Sequence, residues 1–340
     1  MIESSLFTQE VIKSLFLAVL GFLLAIAITP IYTKLAYRHG WWKKKRTTDA
    51  TGKELSVIAK QSTRKHKVPT MAGIIVMLSA LVVTLLFNLS REQTWLPLAA
   101  LIGGGFVGLI DDIINIKGDG SGVAGLQVKI KFILMISVSA ICAWFFYYKL
   151  SYTSVHLPIN GDLEIGLLMI PLFILAVVST SNAVNISDGR DGLAGGLLLT
   201  AYSAFGLIAS LQQNFGIAAF CFTVAGALMA YVWFNIPPAR FFMGDAGSFS
   251  LGTSLGVVAM LTDTLLLLPI IGFVFVIEAG SSLIQIVSKK VFKKKIFIAA
   301  PLHHHLEAKG WDKPKVTMRL WIIGVICAYL GVLIALLGKY

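Results

Sequence analysis

The chain has 340 residues, 56% of them apolar and 14% charged, against roughly 45–50% and about 25% in soluble domains. With a mean hydropathy of +0.81 it holds more apolar residues than one soluble core can bury, which excludes an ordinary soluble domain and points to an all-α polytopic membrane protein. The net charge of +12 does not argue for a nucleic-acid partner, because the basic residues gather in a few loops.

Ten apolar runs approach the roughly 20 residues a spanning helix needs. They lie near 14–36, 69–89, 95–114, 129–148, 164–183, 193–211, 215–234, 247–262, 264–288 and 317–338. The segment before the first, MIESSLFTQEVIKS, has neither a basic leader nor a small-residue cleavage site, so this run reads as a retained span. In the third, Ile102-Gly103-Gly104-Gly105 with Gly108 offers a flat face for close helix packing. No Walker lysine follows, so a phosphate loop does not fit. Cys142, Cys221 and Cys327 sit inside apolar runs without C-x-x-C spacing and imply no disulfide framework.

Ten spans put both termini on one side. The first loop (37–68) and the ninth (289–316) are dense in Lys and Arg, and the opposite side is nearly bare of them. The odd-numbered loops are therefore expected in the cytoplasm and both termini outside it. The basic runs need no role beyond topology and attraction to anionic lipid. In the outward fourth loop, Asn160-Gly161 predicts a small hairpin, with His156 a surface residue.

Glu278 is the clearest ionisable residue inside a span and should face the bundle interior. The other acids of interest stand where spans meet the odd loops. Asp111-Asp112 reads as the end of the third span, where a helix C-terminus disfavours carboxylates unless a cation or lysines neutralise them. Asn182, Asn185, Asp188 and Asp191 recur every third residue, as on one helix face, with Gly189 a point at which a helix can be interrupted. Asp245 lies between Gly244 and Ala246-Gly247 at the start of the eighth span, just after Phe241 and Phe242. A ring beside such a site can stack on a base. His303, His304 and His305 are consecutive and so point in different directions, which makes a zinc site improbable and phosphate hydrogen bonding more natural. Five carboxylates on one face require a cation, and all-oxygen ligands favour Mg²⁺ or Mn²⁺. These are the parts of phosphoryl transfer at a membrane surface.

The segments KHKVPTMAG (65–73), IDD (110–112), NAVNISDGRDGLAGG (182–196), FFMGDAGSFSLG (241–252), IEAGSSLIQ (277–285) and PLHHHLEAKGW (301–311) resemble the phospho-N-acetylmuramoyl-pentapeptide transferases. This family lies within the polyprenyl-phosphate N-acetylhexosamine-1-phosphate transferases, and the resemblance covers nearly the whole chain as one domain. It implies transfer of phospho-MurNAc-pentapeptide from UDP-MurNAc-pentapeptide to undecaprenyl phosphate, giving lipid I and UMP. It also implies Mg²⁺ dependence, the bacterial cytoplasmic membrane as the location, and a homodimer. By position, Asp245 resembles the family's metal ligand, with Asp188 beside it. Asp111 and Asp112 resemble the pair that handles the lipid phosphate, and Lys65 and Thr70 the first-loop residues near the phosphates. Asn182, Asn185, Asp188, Asp191 and Phe242 resemble the nucleotide side, and His303, His304 and His305 the substrate-contacting histidines. Lys67-Val68, Ala72 and Arg190 depart from the family's usual residues. Two rivals are a sister enzyme transferring GlcNAc-1-phosphate, against which the triple histidine argues, and a transporter, which should carry more charge at mid-span.

Overall fold

The structure, a computed structural model, describes residues 2–42, 68–118, 125–158 and 161–338. Helices occupy all ten apolar runs: α1 (Ile2–His39), α2 (Gly73–Phe87), α3 (Trp95–Lys117), α4 (Val128–Tyr148), α5 (Met169–Ser187), α6 (Leu193–Leu211), α7 (Phe215–Asn235), α8 (Gly244–Leu261), the bent pair α9 (Leu268–Ile271) and α10 (Phe273–Val291), and α12 (Lys313–Leu337), with the short α11 (Leu302–Ala308) before the last. Among the described residues, seven of them are long and apolar enough to cross a bilayer, and an eighth is gained if α9 and α10, which meet at 81°, form one broken span. The chain is thus an all-helical, multi-pass membrane protein. The helix α2 is shorter, and α8 is rich in Gly and Ser.

The predicted hairpin is present. Strand β1 (Ser154–Leu157) pairs antiparallel with β2 (Gly161–Glu164), with His156 opposite Asp162. Asn160 lies outside the described residues. His156 corrects its expected place on the open surface. Its side chain is only 17% exposed, because the hairpin folds back onto the loop after α8.

Every residue of α8 except Asp245 is buried. α3 and α5 run along it, and α2 crosses it. Outside this centre, α1 packs on α7, α6 on α7, and α12 on α6. The outer faces of α1, α4 and α12 display Phe16, Leu23, Ile133, Ile141, Ile322 and Ile326 to the surroundings. In water such faces would be a liability; in hydrocarbon they cost nothing, since lipid tails are as apolar as leucine.

The glycines of α3 do what their spacing predicts. A Cβ at Gly104 would meet Thr253 and the Phe249 carbonyl, one at Gly105 would meet Met77 and Ser250, and one at Gly108 would strike the Asp245 carbonyl. From the other side, Gly73 of α2 lies against Gly247 of α8. The helices that carry the acids therefore touch backbone to backbone. Gly108→Ala should force α3 off α8 and lower stability by about 1–3 kcal/mol, the usual cost of overpacking. Thermal unfolding in detergent would show it, and an unchanged melting temperature would mean that the seam can yield.

Candidate active site

The α8 N-terminus leaves backbone N–H groups without intrahelical partners, and no side chain of its own caps it. Two carboxylates from other segments do so. The N–H of Gly244 donates to Asp188 Oδ2 at 3.2 Å, and that of Ala246 to Asp112 Oδ2 at 2.9 Å. Anions at this end also meet the positive pole of the helix. Asp245 is the residue between. Its Oδ2 accepts from Lys131 Nζ of α4 at 2.8 Å, and the same ammonium lies 3.1 Å from Asp111 Oδ1. Asp111 Oδ1 also accepts the Leu126 N–H at 2.7 Å. Four aspartates from α3, the end of α5 and the start of α8 thus surround one helical turn.

Asp111 and Asp112 do not end their helix, as the sequence had indicated. α3 continues through Lys117, and the pair is buried within it at 1% and 0% exposure. The apolar pattern breaks at the acids, but the backbone hydrogen bonding does not. The three-residue rhythm is also cut. Asn182 and Asn185 are on α5, Asp188 is its C-cap, and Asp191 lies in the following turn. Asn185 Nδ2 donates to Ser248 Oγ of α8 at 2.8 Å. Asn182 lines a small cleft with Lys131 and Phe249. Asp191 accepts from the Ala239 N–H at 3.2 Å and from Thr317 through its carbonyl, which fixes the loop before α8 and the start of α12.

Thr70 is brought to the same end of the bundle by pairing that no local pattern reveals. Phe242 N–H donates to the Pro69 carbonyl at 2.8 Å, Ala72 N–H to the Phe242 carbonyl at 3.0 Å, and Gly73 N–H to the Met243 carbonyl at 2.9 Å. A Cβ on Gly244, where φ is +75°, would strike Asp112 Oδ2 and crowd Thr70 Oγ1. Glycine is therefore required there both for its φ and for space. Phe241 is buried while Phe242 is 40% exposed, so one ring holds the loop and the other offers a face. Lys65 lies outside the described residues.

The three histidines do not all point apart as expected of consecutive residues: the His303 and His304 rings are in contact, with centroids 4.3 Å apart, and His305 packs against Phe297. His303 is buried, with its Nδ1 2.8 Å from Glu278 Oε2, and Glu278 is itself fully buried in α10. His303 also abuts Gly189, beside Asp188. His305 Nδ1 accepts the Ile298 N–H at 3.2 Å. His304 Nδ1 lies 2.8 Å from Arg190, which pairs with Glu307. A guanidinium can only donate, so that nitrogen accepts and the proton resides on Nε2.

Burial first, then the neighbouring His303, Arg190 and Lys313 charges, hold His304 down at about 4. The unfolded chain takes up this proton near the ordinary value of 6.5. Stability from the neutral ring is therefore complete above pH 6.5 and is lost as the pH falls toward 4. Over that window the wild-type melting temperature should drop further than that of His304→Asn. The ring is 40% exposed, so solvent screening keeps the difference small. Parallel melting curves would contradict this placement of the proton.

Two residues of the site escaped the sequence reading. Lys131 was not singled out, although it is a charged residue inside the apolar run 129–148. Asn235, buried at the end of α7, accepts the Gly192 N–H through Oδ1 at 2.9 Å and donates from Nδ2 to the Phe241 carbonyl at 2.8 Å. An amide at the last turn of an apolar span was the available signal.

The donor set fits a hard divalent cation. Asp111 and Asp245 bring two negative charges to one ammonium, and all the ligand atoms are oxygen, which suits Mg²⁺ or Mn²⁺. Asp245, 14% exposed against 2% for Asp111, is the more open of the pair.

Residues 94–263 match the model of glycosyl transferase family 4. A phospho-N-acetylmuramoyl-pentapeptide-transferase of Chloroflexus aurantiacus is 39% identical over 97% of this chain and 91% of its own length. The chain belongs to the phospho-N-acetylmuramoyl-pentapeptide-transferase family. Relatives of that name from a Geobacillus strain and from Bacillus anthracis are 36% and 34% identical, covering 93% and 92% of the chain and 96% and 95% of their own lengths. In this family member, Arg190, His304 and Glu307 form an ion-paired patch in the loop region beside the aspartates.

Proposed function

We propose that the chain transfers phospho-MurNAc-pentapeptide from UDP-MurNAc-pentapeptide to undecaprenyl phosphate, forming lipid I and releasing UMP. The observation that carries this reading is the gathering of Asp111, Asp112, Asp188 and Asp245 around one turn of α8, in a chain similar to transferases of that name over nearly its whole length. We further propose ten crossings, both termini outside, and the aspartates at the cytoplasmic face of the bacterial inner membrane. The lysine-rich loops support that orientation. A cysteine placed at Asp162 should then react with an impermeant reagent in intact cells; protection there, with labelling in inverted vesicles, would reverse the topology.

The chemistry follows from the charges. An oxygen of the lipid phosphate attacks the phosphorus that bears the sugar. The bond from that phosphorus to the bridging oxygen breaks, and the bridging oxygen leaves on UMP with the electron pair. A phosphate monoester has a second pKa of roughly 6, so the nucleophile is already largely dianionic at neutral pH and needs no strong base. Asp111, fixed by Lys131 and the Leu126 N–H, therefore positions rather than deprotonates. Asp245, with Asp111 or Asp188 beside it, would hold Mg²⁺. That ion, when bound, supplies neutralisation of the charge that grows on the diphosphate. Phe242 offers its exposed ring to the uracil, and His304 offers its Nε2 proton to a phosphate or carboxylate of the substrate.

UMP release by the purified protein, with undecaprenyl phosphate and Mg²⁺, tests the reading. Release from UDP-MurNAc-pentapeptide and not from UDP-GlcNAc, abolished by EDTA, is expected. Release from UDP-GlcNAc alone would transfer the chain to the sister enzymes. Silence with both, in folded protein, would remove the enzyme assignment.

A further inference from the structure

At the other end of the bundle lies a second group of ligating side chains, which the reaction does not use. α8 runs from Gly244 to Leu261, which at 1.5 Å per residue is roughly 27 Å. Asp245 opens that helix and Asp263 follows its end. Against Asp263 lies the hairpin, with His156 on β1 and Asp162 directly opposite on β2. One potential ligand atom from each of the three residues falls within 4.8 Å of the others. His156 Nδ1 is 2.7 Å from Asp162 Oδ1, and the His156 N–H donates to Asp263 Oδ1 at 3.0 Å.

We propose that His156, Asp162 and Asp263 form a binding site for a divalent transition-metal ion of the Zn²⁺ type, which clips the hairpin to the end of α8. One imidazole nitrogen and two carboxylate oxygens suit zinc better than Mg²⁺ or Ca²⁺, which favour oxygen alone. Tetrahedral ligands about 2.0 Å from zinc stand about 3.3 Å apart, so side-chain shifts of up to about 1.5 Å close the set. A cavity of about 120 Å³ is lined by these same three residues, leaving room for the water that completes four-coordination.

The surroundings already orient the ligands. The His156 N–H occupies one oxygen of Asp263, which fixes the carboxylate beside the hairpin, as hydrogen bonds do for ligands in metal sites. Gln212 Nε2 holds the Thr262 carbonyl at 2.8 Å, pinning the loop that carries Asp263. Burial, with the nearby Asp162 charge adding to it, pushes the Asp263 carboxyl above its ordinary value. A bound cation offsets that repulsion.

The test is zinc retention by the full-length protein in detergent. The protein would be stripped with EDTA, saturated with Mg²⁺ to fill the aspartate cluster, exposed to low micromolar Zn²⁺, desalted, and measured for metal per chain. Wild type is expected to keep one equivalent more than His156→Ala and than Asp162→Asn. Asp162 is 64% exposed, so its substitution leaves folding intact. Zn²⁺ should raise the melting temperature of wild type and not of either variant. UMP release in Mg²⁺ should be the same in all three. Co²⁺ in place of Zn²⁺ should give visible absorption bands in wild type that both variants lose. Equal zinc retention by wild type and either variant overturns the site, and does so whether or not the protein turns over its substrate.

Discussion

Asp245→Asn is expected to lower UMP release by at least about 10³-fold, the scale on which removal of a group that stabilises transition-state charge acts. The melting temperature should stay close to wild type. The amide keeps an oxygen for Lys131, the side chain is partly open at 14% exposure, and the α8 turn remains held by Asp112 and Asp188 through backbone N–H groups. What disappears is the negative charge on the more accessible of the two carboxylates that share Lys131. A steady-state assay at saturating substrate over a range of Mg²⁺ separates the effects. Lost kcat that high Mg²⁺ cannot restore fits a role in the reacting state. Activity within tenfold of wild type would remove Asp245 from the metal site altogether.

The second large effect concerns Lys131, and it divides into two measurable parts. Lys131→Met leaves Asp111 and Asp245 facing each other without their shared ammonium, and Asp111 is 2% exposed. Breaking a buried ion pair from one side costs about 3–5 kcal/mol. A second change, Asp111→Asn, should return much of that stability, because one of the two stranded charges is gone. It should not return activity, since the acid is itself part of the site. Denaturation and UMP release, measured across wild type, both single variants and the double, therefore give opposite patterns. If the double variant were no more stable than Lys131→Met, the two carboxylates would not be coupled through this lysine.

Much of this arrangement was legible as composition. The apolar runs carry helices, and Gly104, Gly105 and Gly108 let α3 close on α8 while Gly103 faces Val138 of α4. Four of the five acids meet around α8, with Asp191 holding the neighbouring loop, and of the three histidines His303 and His304 stay in ring contact. Other features were hidden for definite reasons. The α3 helix outlasts its apolar pattern by residues such as Asn115 and Lys117, because hydrophobicity marks the lipid and not the hydrogen-bond ladder. Lys131 gave no signal of its own, because its value lies in reaching Asp245, 114 positions away. The pairing of Pro69 and Ala72 with Phe242 is backbone to backbone and leaves no trace in residue type. His156 was read as exposed because nothing local to a hairpin tells that a distant loop will cover it.

The seam between α3 and α8 has a further consequence, for how freely such a sequence can drift. Where side chains fill an interface, a substitution can be absorbed by a neighbour's change of rotamer. Where Gly108 rests on the Asp245 carbonyl, and Gly73 on Gly247, there is no rotamer to change. The outward residues of α1 and α12 meet a fluid that accepts any apolar outline. Random mutagenesis scored for growth should thus show Leu, Ile, Val and Phe exchanging freely around the perimeter. The least conspicuous residues, the glycines at the centre, should admit almost nothing.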